Sequence, residues 1–195
     1  MPKPSEDIIS VSNMLAKALE TVNEAHLAQF TRKAVPELEL VKHVRKKLDS
    51  QLGSKGEVFK TVKGLHEKVD KVVFLMQPDV DLPFRYQNTL HGVEFKLLRK
   101  GVSFYSGLDE AIAYSTYGID YSWVIHFFRK NFKRAKSYER WMKFVLENSG
   151  CLSVGYIAAT TKTARVIVLP KKPFGFGNEH DLAEVVRQVR EKKFP

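Results

Sequence analysis

Hydrophobic positions near the start of the chain recur at alternating spacings of three and four: Ile8, Val11, Leu15, Ala18, Val22 and Ala25. That is a helical seam about three heptads long. Ser5, Glu6 and Asp7 ahead of it suit a helix N-terminus, so SEDIISVSNMLAKALETVNEAHLAQF is predicted as a helix. Its seam offers either a means of homodimerisation or a face packed on the chain's own domain. A second helix, PELELVKHVRKKLDSQL, begins with Pro36 in its first turn and is closed by Gly53. At about 100° per residue, Leu38, Val41, Val44, Leu48 and Leu52 form its inner face. Glu37 projects onto that face, Glu39 points the opposite way, and His43, Arg45, Lys46 and Lys47 make a basic outer surface.

Strand-like patterns follow. EVFKTVK alternates as an edge strand does, and DKVVFLMQ is a continuous apolar run, the mark of a strand covered on both faces. PDVDLPFRYQNT is punctuated by prolines and reads as a loop, and LHGVEFKLLRKG as a strand. GLDEAIAYSTYG is a short helix closed by Gly118, and YSWVIHFF is another buried strand. RAKSYERWMKFVLENSG is a helix with Tyr138, Trp141, Met142 and Val145 turned inward. CLSVGYIAAT and ARVIVLP form a hairpin through Thr161, Lys162 and Thr163, and HDLAEVVRQVREKK is a last helix. This order predicts an α/β fold, a three-layer sandwich on a central mixed β-sheet. An N-terminal helical extension (residues 1–33) precedes one domain (residues 34–195).

One strand carries an anomaly. In HGVEFKLL, alternation puts Val93, Phe95 and Leu97 on one face and Glu94 and Lys96 on the other. Burying charge costs several kcal/mol per ion, as an order of magnitude, unless it is paired or binds something. The pair is therefore either a salt bridge on a solvated sheet face or part of a site.

Composition narrows the classes. The 195 residues are 44% hydrophobic and 28% charged, an ordinary globular balance. No stretch is apolar enough to span a bilayer, and MPKPSEDIIS has acids where a secretory signal has its basic and apolar regions. A cytoplasmic, soluble protein with no membrane partner is expected. The single cysteine, Cys151, excludes an internal disulfide, and the six histidines have no metal-ligand spacing. Neither GxGxxG nor GxxxxGK[ST] occurs. A formal charge of +10 favours a polyanionic partner, nucleic acid first. RKNFKRAK adds to this: Arg129, Lys130, Lys133, Arg134 and Lys136 crowd a helix N-terminus, where positive charge opposes the dipole and a phosphate would relieve it.

Glu37 on an opening helix, the literal Pro78-Asp79, Glu94-Phe95-Lys96 on a strand and the GLDEAIAY helix together resemble the PD-(D/E)xK nuclease superfamily, the restriction-endonuclease-like fold. The resemblance runs from about Pro36 to about Val168. Members of that family carry an acid on the opening helix, an Asp on the second strand and (D/E)-x-K on the third. A helix with Gln-x-x-x-Tyr often follows; Glu110 and Tyr114 occupy those positions here, with Glu in place of Gln. Three residues compete to be the Asp: Asp79 of the literal Pro78-Asp79, Asp70 at the head of KVVFLM, and Asp81. The resemblance implies a Mg²⁺- or Mn²⁺-dependent nuclease, with DNA ahead of RNA as substrate. Glu94 and the Asp would hold the metal, Glu37 would support its shell, and Lys96 would assist the attacking water. The alternatives are a nucleic-acid-binding protein that keeps the fold without hydrolysis, and an assembly protein using the N-terminal seam.

Overall fold

A computed structural model of the chain describes residues 5–33, 35–59, 80–99, 102–114, 119–129, 132–149 and 152–171. The Ser5 hydroxyl accepts from the Ile8 N–H and opens helix α1 (Glu6–Glu20), with Glu6 and Asp7 in its first turn. The helix expected to run on to Phe30 breaks at Thr21–Asn23. Asn23 accepts from the His26 N–H, the His26 ring answers at the Asn23 N–H, and this reciprocal cap starts α2 (Glu24–Phe30). Ala25, expected on the seam, is exposed after the break, and Leu27 and Phe30 are buried instead. Helix α3 (Pro36–Leu52) runs as expected, ending at Gly53 with φ 54°. Its inner stripe is Leu40, Val41, Val44, Leu48 and Leu52; Leu38 falls on its flank and is exposed.

Among the described residues six strands follow: β1 (Gly56–Val58), β2 (Leu82–Tyr86), β3 (Thr89–Leu98), β4 (Tyr121–Phe128), β5 (Val154–Ala159) and β6 (Ala164–Val168). They form one open mixed sheet in sequence order. The β1–β2, β2–β3 and β5–β6 pairs are antiparallel; β3–β4 and β4–β5 are parallel. Helix α4 (Leu108–Tyr114) connects β3 to β4, and α5 (Ala135–Asn148) connects β4 to β5.

β2 lies in the stretch expected to be a loop, and Pro83 sits inside it. An antiparallel residue points its N–H and C=O to the same side. The Pro83 carbonyl accepts from the Phe59 N–H, so its ring nitrogen also faces β1, where that ladder ends after Val58. The missing donor therefore falls outside the β2–β3 ladder, in which Pro83 stands opposite Gly92. Most of EVFKTVK, all of DKVVFLMQ and the last helix lie outside the described residues.

Alternation along the strands separates two cores. Val93, Phe95, Leu97, Trp123, Ile125 and Phe127 pack against α1, α2 and α3. Leu98, Val124, Phe128, Tyr156 and Ala158 pack against α4 and α5 on the other face. The chain is thus an α/β sandwich. Ile8, Val11, Leu15, Ala18 and Val22 all lie in the first core, so the α1 seam packs within the chain. Trp141, expected inward, is 54% exposed, because the inner stripe of α5 centres on Met142 and Leu146. No helix among the described residues is long and apolar enough to cross a membrane.

Candidate functional site

β3 outruns its neighbour. Leu82 stands opposite Val93, so the β2 ladder stops where Glu94 begins. Two further N–H groups on that side of β3 need acceptors, since a buried backbone donor left unpaired is costly. Carboxylates supply them. The Phe95 N–H donates to Asp81 Oδ2 and the Leu97 N–H to Glu37 Oε1, each at 2.9 Å. Asp81 immediately precedes β2, and Glu37 lies in the first turn of α3.

On the other face of the strand, Glu94 and Lys96 point toward α4. Glu94 is 2% exposed and Lys96 18%, so the pair is not on a solvated face. Lys96 Nζ lies 2.6 Å from Glu94 Oε1 and 2.7 Å from Glu110 Oε1. Tyr114 is fully buried one helical turn beyond Glu110 and donates its hydroxyl to Glu94 Oε2. Burial pushes the Tyr114 hydroxyl far above its ordinary range, reinforced by Glu94, so it keeps its proton and remains a donor. Burial and then the neighbouring Asp81 push Glu94 up to about 9, against the pull of Lys96 and Tyr114. Asp81 is raised to about 6, again by burial, against the pull of the Phe95 N–H and Lys96. Burial pulls the Lys96 ammonium down, but Glu94 and Glu110 outweigh it and hold the ammonium above its usual range. Asp81, Glu94, Glu110 and Glu37 are four carboxyls, and Lys96 and Arg45, which donates to the Asp81 carbonyl, are two cations. Fully ionised, this cluster carries surplus negative charge.

A residue that sequence reasoning missed closes the site. Gly107 has φ 82°, and a Cβ there would lie 2.9 Å from Glu94 Cγ and 3.0 Å from Lys96 Cε. Only glycine lets the loop before α4 press this closely onto the pair. The loop is fastened from beneath. Tyr156 donates to His126 Nδ1, and His126 Nε2–H donates to the Ser106 carbonyl. This needs a neutral imidazole, and burial lowers the His126 pKa to about 4. The only hint in the sequence is a glycine standing just before an amphipathic helix.

The expected residues thus divide. Asp81, Glu94, Lys96, Glu37, Glu110 and Tyr114 come together, while Asp70, Asp79 and Lys130 lie outside the described residues. Arg129 directly follows Phe128, which stands beside Leu98, so it leaves the sheet at the same end as the site. Lys133, Arg134 and Lys136 are exposed around the start of α5. That helix has no acid in its first turn, and its N-cap, Arg134, makes no side-chain capping bond. Among the described residues, no three His, Cys, Asp or Glu side chains form a group that could hold a metal ion. Comparison with family models, with curated proteins and with solved structures returned no match.

Proposed function

We propose that this chain is a Mg²⁺- or Mn²⁺-dependent nuclease of the restriction-endonuclease-like fold, hydrolysing phosphodiester bonds in nucleic acid, with DNA ahead of RNA. One observation carries the reading. A buried Glu94–Lys96 pair on the third strand lies where the second strand stops, with Asp81 at that strand's head and Glu37 reaching in from the preceding helix. The resemblance implies this order of acid-bearing elements, helix, second strand and third strand.

The donor set suits a hard cation: oxygen ligands only, with Asp81 and Glu94 as the two carboxylates, Glu94 releasing its proton as the cation binds. Mg²⁺ is usually held by one or two carboxylates, with waters and substrate phosphate completing the shell, so a group of three protein ligands is not required. When bound, the metal supplies Lewis-acid stabilisation of the phosphoryl oxygens and a more acidic water. The protein's own groups do the rest. Lys96, kept charged by Glu94 and Glu110, orients the attacking water and stabilises negative charge developing on the phosphate. Tyr114 fixes the Glu94 carboxyl through its hydroxyl. Glu37 and Asp81 anchor the unpaired edge of β3 and keep both charged side chains in register.

That anchoring also favours a second reading, a binding protein that keeps the fold without hydrolysis, because capping backbone N–H groups is a structural use of Asp81 and Glu37. Cleavage of labelled single-stranded, duplex and branched DNA with Mg²⁺ or Mn²⁺ separates the two. Metal-dependent cutting that falls by roughly 10²–10⁴-fold in Lys96→Met, and is lost in Glu94→Gln and Asp81→Asn, is the result expected of a nuclease. No cutting by the wild-type chain, with salt-sensitive binding intact, establishes the binding protein.

A further inference from the structure

Large aromatic side chains are left in solvent beside the site. Tyr105 is 58% exposed, Trp141 54% and Phe144 57%. Phe104 joins them into a run: its ring lies 5.2 Å from Tyr105 and 6.2 Å from Trp141, which lies 6.2 Å from Phe144. The run is held in place, since the Tyr138 hydroxyl donates to the Val102 carbonyl at 2.7 Å and ties the loop to α5. It is continuous with the site. Tyr105 is two residues from Gly107, within about 7 Å of it along the chain, and Gly107 packs on Glu94 and Lys96.

Charge indicates what the run would meet. On α5, Arg134 stands two turns before Trp141 and Arg140 one turn before Phe144, on the same flank. Of that helix's acids, Glu139 lies on another flank, paired with Arg165, and Glu147, one turn after Phe144, is paired with Lys143. An aromatic surface edged by arginines, whose neighbouring acid on that helix is already paired with a lysine, suits a polyanion that carries flat π-faces.

We propose that Tyr105, Trp141 and Phe144 form a stacking platform for unpaired bases of a nucleic-acid strand whose phosphate enters the Glu94–Lys96 site. This rests on the nuclease reading and assigns it a single-stranded, or locally unpaired, substrate. Stacking on aromatic side chains tolerates any base, and arginines beside it neutralise the backbone. Duplex bases stay stacked on one another and would find the platform of little use.

The test is made on the full chain in EDTA, so that binding is read without cleavage. Tryptophan fluorescence reports directly, because Trp123 is fully buried and Trp141 is the exposed partner. A short oligothymidylate should quench the emission, whereas an abasic strand of equal length and charge should not quench and should bind more weakly. Trp141→Ala should weaken oligothymidylate binding roughly 5- to 150-fold, and Trp141→Phe should restore most of it. Equal affinity for abasic and base-bearing strands overturns the proposal, as does wild-type binding by Trp141→Ala. So does self-association abolished by Trp141→Ala, which would make a second copy of the chain the occupant. Quenching in the wild-type chain needs no variant to fold. Base-dependent quenching without any metal-dependent cleavage sinks the nuclease reading and leaves the platform; cleavage without quenching does the reverse.

Discussion

A carboxyl buried beside another is expensive to ionise, and Glu94 holds its proton up to about 9 for that reason. The sign of its contribution follows. The folded state binds this proton more tightly than the unfolded state, so the stability it confers is complete below about pH 4.5 and is lost as pH rises through about 9. Glu94→Gln abolishes that loss. The Tm of the variant relative to wild type should therefore become more positive between pH 5 and 9, by up to about 1.4 kcal/mol of stability per pH unit. Parallel thermal melts across that range check it; a difference independent of pH would mean that Glu94 ionises normally in the fold. Gly107 is constrained by space rather than charge. Gly107→Ala brings a Cβ to 2.9 Å from Glu94 Cγ at φ 82°, and should cost about 1 kcal/mol or more in a denaturant titration. Under the proposed nuclease reading, its effect on cleavage should be larger, on the order of 10²-fold, because the displaced groups are those assigned to the reaction. At this scale the sequence was informative where chemistry follows alternation. Glu94 and Lys96 are legible from period two alone. Asp81 could be read only as one of three candidates, because the strand it heads was hidden by Pro83. Gly107 was not legible, since close approach between a loop and a strand distant in sequence leaves no local pattern.

Elements sort into those fixed by local pattern and those fixed by partners. Helix α3, β4 and the β5–β6 hairpin follow from periodicity, capping and turn chemistry. β2 does not: a proline in a central strand is tolerated only because β1 is short, which is a property of the neighbour. The inward placement expected for Trp141 fails in a similar way, since the stripe chosen by Met142 and Leu146 depends on where the sheet lies. The α1 seam shows the same limit. Its spacing suits a partner helix, and the partner turns out to be the chain's own sheet and α3. Leu15 is fully buried there, so Leu15→Ala should destabilise the fold by about 2–5 kcal/mol, with a denaturation midpoint independent of protein concentration. Concentration-dependent unfolding that vanishes in the variant would instead indicate an intermolecular seam. Removing residues 1–33 should abolish a cooperative melt, because it strips the cover from Leu40, Val44 and Leu48; a deletion that folds normally would make those residues an extension in the physical sense as well.

Over the whole molecule, the net charge of +10 surrounds a site that is locally acidic. Under the proposed reading, a polyanion would be drawn to the periphery and repelled at the centre unless a cation sat among the carboxylates, which makes attraction and hydrolysis electrostatically separable. The start of α5 makes this measurable. Lys133, Arg134 and Lys136 face the positive end of the helix dipole with no first-turn acid to offset them. Such charges lower stability by about 0.3–1 kcal/mol each, so their presence calls for a compensating use. Arg134→Asp replaces one opposed charge by an acid at the positive end of the dipole. The variant should be more stable, by about 0.3–1 kcal/mol. It should also bind nucleic acid less tightly, with the slope of log K against log salt reduced by about 1 for a lost phosphate contact. Melting curves and anisotropy titrations over a range of KCl concentrations give both numbers on the same preparation. Opposite signs for stability and affinity mean that this basic cluster exists for a phosphate ligand. A gain in stability with an unchanged salt slope means that the cluster is solvated surface, and that the polyanion, if it is drawn to this molecule, reaches Lys96 by another face.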